Sequence, residues 1–162
     1  MGDDESGRSS QRSGVFKILS DVEADVGFAI DDVVQDLYEF SADVAEGRAR
    51  FEALFAEGAR IFGPSWDQSE GGERAGVDVV TFMSRRQARG AREERELSRR
   101  TESYGDIAQV LSTFERTTSG GLERGLNSVH LRHDGARWWI VSLVWTVEDP
   151  DRPLPTRYLR RR

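Results

Sequence analysis

The sequence contains no cysteine, which removes disulfides, thiolate nucleophiles and thiolate metal sites together. Its two histidines, His130 and His133, stand too close to a single turn to suggest a histidine-rich metal centre. No phosphate loop, nucleophile elbow or metal-ligand spacing occurs, so neither a metal nor a cofactor is expected. No apolar run approaches membrane-spanning length, and the sequence predicts no membrane partner. Residues 1–14 are acidic and polar without the apolar centre of a signal peptide, and the match of Gly2 and Ser6 to a myristoylation pattern reads as chance. The cytoplasm is the default expectation. A net charge of −6 lacks the positive surplus that phosphate backbones demand, which argues against nucleic acid. Lysine is nearly absent too: Lys17 is the only one among 23 basic residues, a bias that points to a GC-rich bacterial genome.

What is present suits one domain. The 162 residues are enough for a single core, and 32% charged against 37% hydrophobic residues implies polar tails or a polar surface. Three parts are expected: a disordered tail at 1–14, a folded domain at 15–149 and an extended Pro/Arg-rich tail at 150–162. Ser20 and Glu23 have capping-box spacing. Val26, Ile30, Val33, Leu37, Phe40 and Val44 then recur every three or four residues, predicting a long helix ending before Gly47. A short helix, Arg48 to Phe55, and a brief strand, Ala59 to Phe62, follow. Residues 63–76 form a loop carrying Trp66. Asp78 can cap a third helix through Val79, Val80, Phe82 and Met83. From 93 onward the period becomes strand-like: residues 93–104, then 106–118, a Gly120-Gly121 turn, and a hairpin from Asn127 to Trp145 around Asp134-Gly135. Helices followed by a strand meander predict an α+β fold, with a curved antiparallel sheet covered by helices on one face.

Side chains alternate across a strand, so parity divides the hairpin into two faces. One carries Asn127, Val129, Leu131, Trp138, Ile140, Ser142 and Val144. The other carries Ser128, His130, Arg132, Trp139, Val141, Leu143 and Trp145. Helices can cover only one, and the second would expose several hundred Å2 of apolar surface. The expected solution is a homodimer through the sheet, with His130, Trp139, Val141, Leu143 and Trp145 at the interface.

The stretches SYGDIAQVLSTFE, RGLNSVHL and DGARWWIVSLVW, with DLYEFSADVAEGRARFEALFAEGARIFGP before them, resemble bacterial members of the nuclear transport factor 2-like superfamily. The resemblance spans roughly 28–159. It implies an α+β cone: three N-terminal helices packed over the concave face of a curved antiparallel sheet, enclosing a pocket, with dimerisation through the outer sheet surface. The superfamily includes ketosteroid isomerase, scytalone dehydratase, limonene epoxide hydrolase, polyketide cyclases and non-catalytic binders. The subgroup nearest this chain has no assigned function.

An apolar pocket between helices and sheet, holding a small apolar organic ligand, would be lined by Tyr38, Trp66, Phe82, Phe114, Asn127, Trp138 and Ser142. Tyr38 either presents its hydroxyl to a ligand, as a tyrosine on this helix does in the resembled fold, or packs as an ordinary helix–sheet aromatic. Asn127, the only asparagine, and Ser142 either orient a ligand or satisfy each other in a sealed core. Trp66 and Phe82 could form a lid at the pocket mouth. His130 is an acid–base candidate because the unperturbed pKa of a histidine lies nearest neutrality, yet parity assigns it to the interface. An enzyme of the isomerase, dehydratase or hydrolase kind would need a carboxylate for proton transfer. Asp106 and Glu96 are the candidates, with Glu94 nearby, although all three sit in or beside a run so charged that a solvated edge strand is the better reading. Catalysis therefore stays open, beside a third possibility, a dimeric interaction module whose pocket is filled.

Overall fold

A computed structural model of the chain describes residues 29–40, 45–64, 75–88, 94–118 and 120–159. The expected 1–14 tail, the Ser20/Glu23 capping box, Val26, Val44, Trp66 and the terminal arginines lie outside these residues. Helix α1 (29–39) turns Ile30, Val34 and Leu37 inward, the spacing of one helical face. Helix α2 (Ala45–Glu52) buries Phe51 and carries an Arg48–Glu52 pair one turn apart at 2.9 Å. Strand β1 (Phe55–Phe62) comes next, followed by helix α3 (Val79–Ala88). As expected, Asp78 caps α3, its carboxylate accepting the Thr81 amide at 2.8 Å. Four long strands complete the domain: β2 (Glu94–Tyr104), β3 (Ile107–Thr118), β4 (Gly121–His133) and β5 (Trp138–Val147).

The five strands form one sheet in the order β1-β5-β4-β3-β2. The meander β2 to β5 is antiparallel, but β1 runs parallel to β5, so the sheet is mixed rather than antiparallel throughout. A strand that enters before the meander and pairs with its last member closes one sheet edge, a pairing no local pattern announces. Two helices precede β1 and the third follows it.

Parity holds along β4, where Gly125, Asn127, Val129 and Leu131 are buried and Ser128, His130 and Arg132 alternate outward. It also separates Trp138, buried on the inner face, from Trp139 on the outer. It fails at Val141. Leu131 pairs with Ile140 but His130 with Ser142, so Val141 is an extra residue in β5. Such a bulge flips every later side chain. Leu143, Trp145 and Val147 are therefore buried on the inner face, whereas Ser142 and Val144 face outward. A second bulge lies at Leu97, since Glu96 pairs with Phe114 and Ser98 with Thr113.

The inner face is built in transverse rows. One runs Thr101, Val110, Val129, Leu143; the next Arg99, Ser112, Asn127, Trp145; the third Glu96, Phe114, Gly125, Val147. Gly125 is required there, because a Cβ would stand 2.3 Å from both the Phe114 ring and the Thr146 carbonyl. On the outer face the segment after β5 folds back. The Thr113 hydroxyl donates to the Tyr158 carbonyl at 2.6 Å, and Thr113 is fully buried.

The β4–β5 connection is held by Asp134, which accepts the backbone amides of Ala136 and Arg137 at 2.8 and 2.9 Å and the Trp139 indole N–H at 2.6 Å. Those amides pull its carboxyl down from 3.8 to about 2. A depressed carboxylate stabilises the fold above its unfolded value and loses that contribution as pH falls through the folded one. Asp134→Ala is expected to lower Tm at neutral pH, and the deficit should vanish as pH approaches 2. Parallel thermal melts of both proteins across the acid range check this.

Candidate functional site

Helix α1 lies over the inner face with Tyr38 directed down at the polar row. Ser112 and Asn127 are directly opposite one another on β3 and β4, with 0% and 5% of their surface exposed. The Tyr38 hydroxyl is 2.7 Å from Ser112 Oγ and accepts from Asn127 Nδ2 at 3.0 Å. Ser112 in turn bonds a Glu96 carboxylate oxygen. These contacts fix the direction of every proton. An ionised carboxylate only accepts, so Ser112 must donate to Glu96 and can only accept from Tyr38. The chain therefore reads Asn127 N–H to Tyr38 O–H to Ser112 O–H to Glu96. Its polarity explains how a tyrosine hydroxyl, a serine and an asparagine can be buried together without an orphaned atom.

Glu96 is held by Arg99, whose guanidinium donates Nε–H to Oε1 at 2.9 Å and Nη2–H to Oε2 at 2.7 Å. Arg99 also bridges to α1, reaching the Asp31 carboxylate at 2.7 Å and its backbone carbonyl at 3.0 Å. Residues three apart on a regular strand face opposite sides. The bulge at Leu97 is what puts Glu96 and Arg99 on the same one. Burial acts to lower the Arg99 pKa, but the hydrogen bonds and charges of Glu96 and Asp31 outweigh it and raise the value. Burial raises the Tyr38 pKa well above the usual phenol range, with the nearby Glu94 and Glu96 charges pushing the same way against the lowering by Ser112 and Asn127. Tyr38 is thus a neutral phenol.

Beside this chain a cleft of about 550 Å3 opens between α1 and the start of β2, lined by Gln35, Tyr38, Glu39, Glu94, Arg95, Glu96 and Arg99. Glu94 stands at one side, 3.5 Å from both Arg86 of α3 and Arg116 of β3. Arg116 in turn reaches Glu123 at 2.6 Å. All seven lining residues are of polar or charged type.

Of the seven ligand candidates, Tyr38 lines this cleft and Asn127 reaches it through the Tyr38 hydroxyl. Phe114 and Trp138 are buried in the core. Phe82 is half-buried and stacked 6.1 Å from Phe51, and Trp66 is outside the described residues. Ser142 does not join Asn127: the Val141 bulge turns it outward, 3.0 Å from His130 Nδ1. Of the two carboxylates, Glu96 is in the cleft. Asp106 sits in the β2–β3 turn, with a 66% exposed side chain 3.9 Å from Arg132. Ser112, Gln35, Glu39 and Arg95 carry no sequence signal, and Glu94 and Arg99 blend into a charged run. The Glu-x-x-Arg spacing of Glu96 and Arg99 would have become informative only with the bulge known. Among the described residues no group of His, Asp and Glu could hold a metal ion, and no helix is long and apolar enough to cross a membrane.

Among the described residues, three helices and a five-stranded mixed sheet define an α+β class of fold. More particularly, this is the nuclear transport factor 2-like fold. The chain aligns with a protein of that type and of unknown function from Silicibacter pomeroyi (18% identity, 78% of this chain and 98% of that one, TM-score 0.57). It aligns similarly with one from Shewanella baltica (18%, 75% and 93%, 0.56) and with a candidate ketosteroid isomerase from Parabacteroides distasonis (17%, 75% and 86%, 0.53). At these identities the likeness is one of fold. No family model and no curated protein matches the sequence.

Tyr38→Phe removes the acceptor of the buried Asn127 amide, with an expected loss of about 1–3 kcal/mol in urea denaturation. In alkaline spectrophotometric titration the Tyr38 phenol of the parent should ionise only on unfolding, as a delayed phase. The delayed phase should be absent from the variant.

Proposed function

We propose that the protein binds a small organic molecule in the cleft between α1 and β2, with the Tyr38–Ser112–Glu96 chain as its floor. The cleft carries the reading: its volume of about 550 Å3 falls within the roughly 300–1,000 Å3 of small-ligand sites. A pre-ordered polar floor next to an open mouth is what a binding site needs in order to orient a guest. The lining argues for a molecule with polar groups, because Phe114 and Trp138, expected to surround an apolar one, are spent on the core.

Proton transfer by Glu96 is the rival. The geometry weighs against it, since both Glu96 oxygens already accept from Arg99 and one also accepts from Ser112. Oxygens whose lone pairs are already taken by those donors are poorly placed to receive a proton from a guest. Asp106, about ten strand residues from Glu96, is on the order of 30 Å away along β2.

We further propose that two copies pair through the outer sheet face. His130, Trp139 and Val141 remain there, joined by Ile107, Leu111 and Val144. Leu143 and Trp145 do not contribute, because the bulge buries them within their own chain.

A fragment screen read by amide chemical shifts is expected to cluster its responses on Gln35, Tyr38, Glu94 and Arg99. Clustering on Phe82 and Trp138 instead, or no response at all, would reject the site. Sedimentation velocity should find a micromolar dimer that Val144→Arg converts to monomer; a parent already monomeric there refutes the pairing.

A further inference from the structure

Cross-strand pairing sorts the outer sheet face into transverse rows, as it does the inner one. The central row runs Glu102, Gln109, His130, Ser142 and Arg60, crossing the sheet from β2 to β1. Toward the β2–β3 turn the next row holds Ile107, Arg132 and Trp139. On the other side lie Arg100, Leu111, Ser128 and Val144. The row beyond is closed, because the segment after β5 covers Thr113. His130 thus stands on the middle strand of five, in the middle of the surface left open.

We propose that a second copy sits on this face with the two-fold axis running along β4, so that His130 meets the partner's His130. This deepens the pairing read above and rests on it. A two-fold along the central strand sets β2 over the partner's β1 and β3 over the partner's β5, and each row faces itself reversed. The rows are then complementary. Glu102 faces the partner's Arg60, from opposite ends of the central row. Ile107 faces the partner's Trp139 and Leu111 the partner's Val144, apolar against apolar. An axis across the strands through the same row would instead set Glu102 against the partner's Glu102 and Arg60 against the partner's Arg60. Like charges in juxtaposition disfavour that arrangement. Stacked sheets keep their strand directions within about 30°, an offset that long glutamate and arginine side chains absorb.

The axis makes the pairing sensitive to acid. Within its own chain His130 has Nδ1 3.0 Å from the Ser142 hydroxyl. Its outward neighbours are Gln109 on β3, Ser142 on β5, and Ser128 and Arg132 along β4. Glu102 and Arg60 stand two strands away, Glu102 already 3.0 Å from Arg100, and Asp106 lies 3.9 Å from Arg132. Two neutral imidazoles pack at an axis, whereas two imidazoliums repel there, and both Arg132 guanidiniums add to the repulsion. A histidine in ordinary surroundings takes up its proton below about pH 6.5. Separate chains can bind those protons and the pair resists them. Association is therefore full above that range and weakens as pH falls through it.

Sedimentation velocity of the full chain over graded concentrations tests the arrangement. Between about pH 7.5 and about pH 5.5 the dimer should weaken about tenfold or more, since each pair holds two such histidines. His130→Gln should abolish that loss and His133→Gln should keep it. At the higher pH, Glu102→Arg and Arg60→Glu, both at exposed positions, should each weaken association about five- to tenfold. An equimolar mixture of the two variants should associate like the parent, because every such contact then joins opposite charges. A dimer indifferent to pH, or a His130→Gln variant that still loosens in acid, removes His130 from the axis and leaves the pairing standing. Single charge variants that associate like the parent refute the axis direction. A parent that is monomeric at micromolar concentration at both pH values sinks the arrangement together with the pairing beneath it.

Discussion

A phenol hydroxyl carried into the space between helix and sheet must find partners there, since an unmade hydrogen bond in that setting costs about 1–3 kcal/mol. Tyr38 is that hydroxyl, and much of the inner face is organised by its need. Asn127 donates to it, Ser112 accepts from it, and Glu96 ends the chain as an acceptor with no proton of its own. That half-buried carboxylate is matched by a counter-charge from Arg99, and Arg99 reaches back to Asp31 on the helix that carries Tyr38. The result is a closed circuit from α1 through β3 and β2 and back to α1, with Asn127 of β4 as a branch. It fixes the helix over the sheet with directional bonds where apolar packing alone would allow sliding.

That circuit depends on a departure from regular strand geometry. Without the extra residue at Leu97, Glu96 and Arg99 would face opposite sides of β2, and the carboxylate would lose its clamp. The second extra residue, Val141, performs a comparable service for the core. It swings Leu143, Trp145 and Val147 inward, where Trp145 meets the Arg116 guanidinium at 5.0 Å and lies beside Gly63. The same shift sends Ser142 out to His130. Each bulge thus determines the composition of both faces downstream of it, and through them the polarity of the cleft and the apolar content of the outer surface.

The helix cap at Asp78, the turn at Asp134 and the alternation along β4 were legible because each is written within a few residues. The placement of Tyr38 above Asn127 was legible as well, because helical and strand periods each point those side chains toward the shared interior. Ser142 was misassigned for a physical reason: its own hairpin gives perfect alternation, and the energy that favours a bulge comes from burying Trp145 and Leu143, which only the packed sheet provides. The parallel β1–β5 pairing was out of reach too, since parallel registry joins segments about eighty residues apart. Tyr38, Glu94 and Glu96 were named from the sequence, but their grouping with Arg99 was not, because the three β2 residues stand in a run so charged that solvation was the simpler reading.

By itself the sequence determined the order of elements, the meander and the absence of cysteine chemistry, all consequences of local period and residue type. Only the tertiary structure decided the hairpin register beyond the bulge, which carboxylate meets Ser112, and which residues line the cleft beside α1. The difference is physical. Secondary structure follows from interactions between near neighbours, whereas the face a side chain occupies after a bulge is set by the summed packing of strands far apart in the chain.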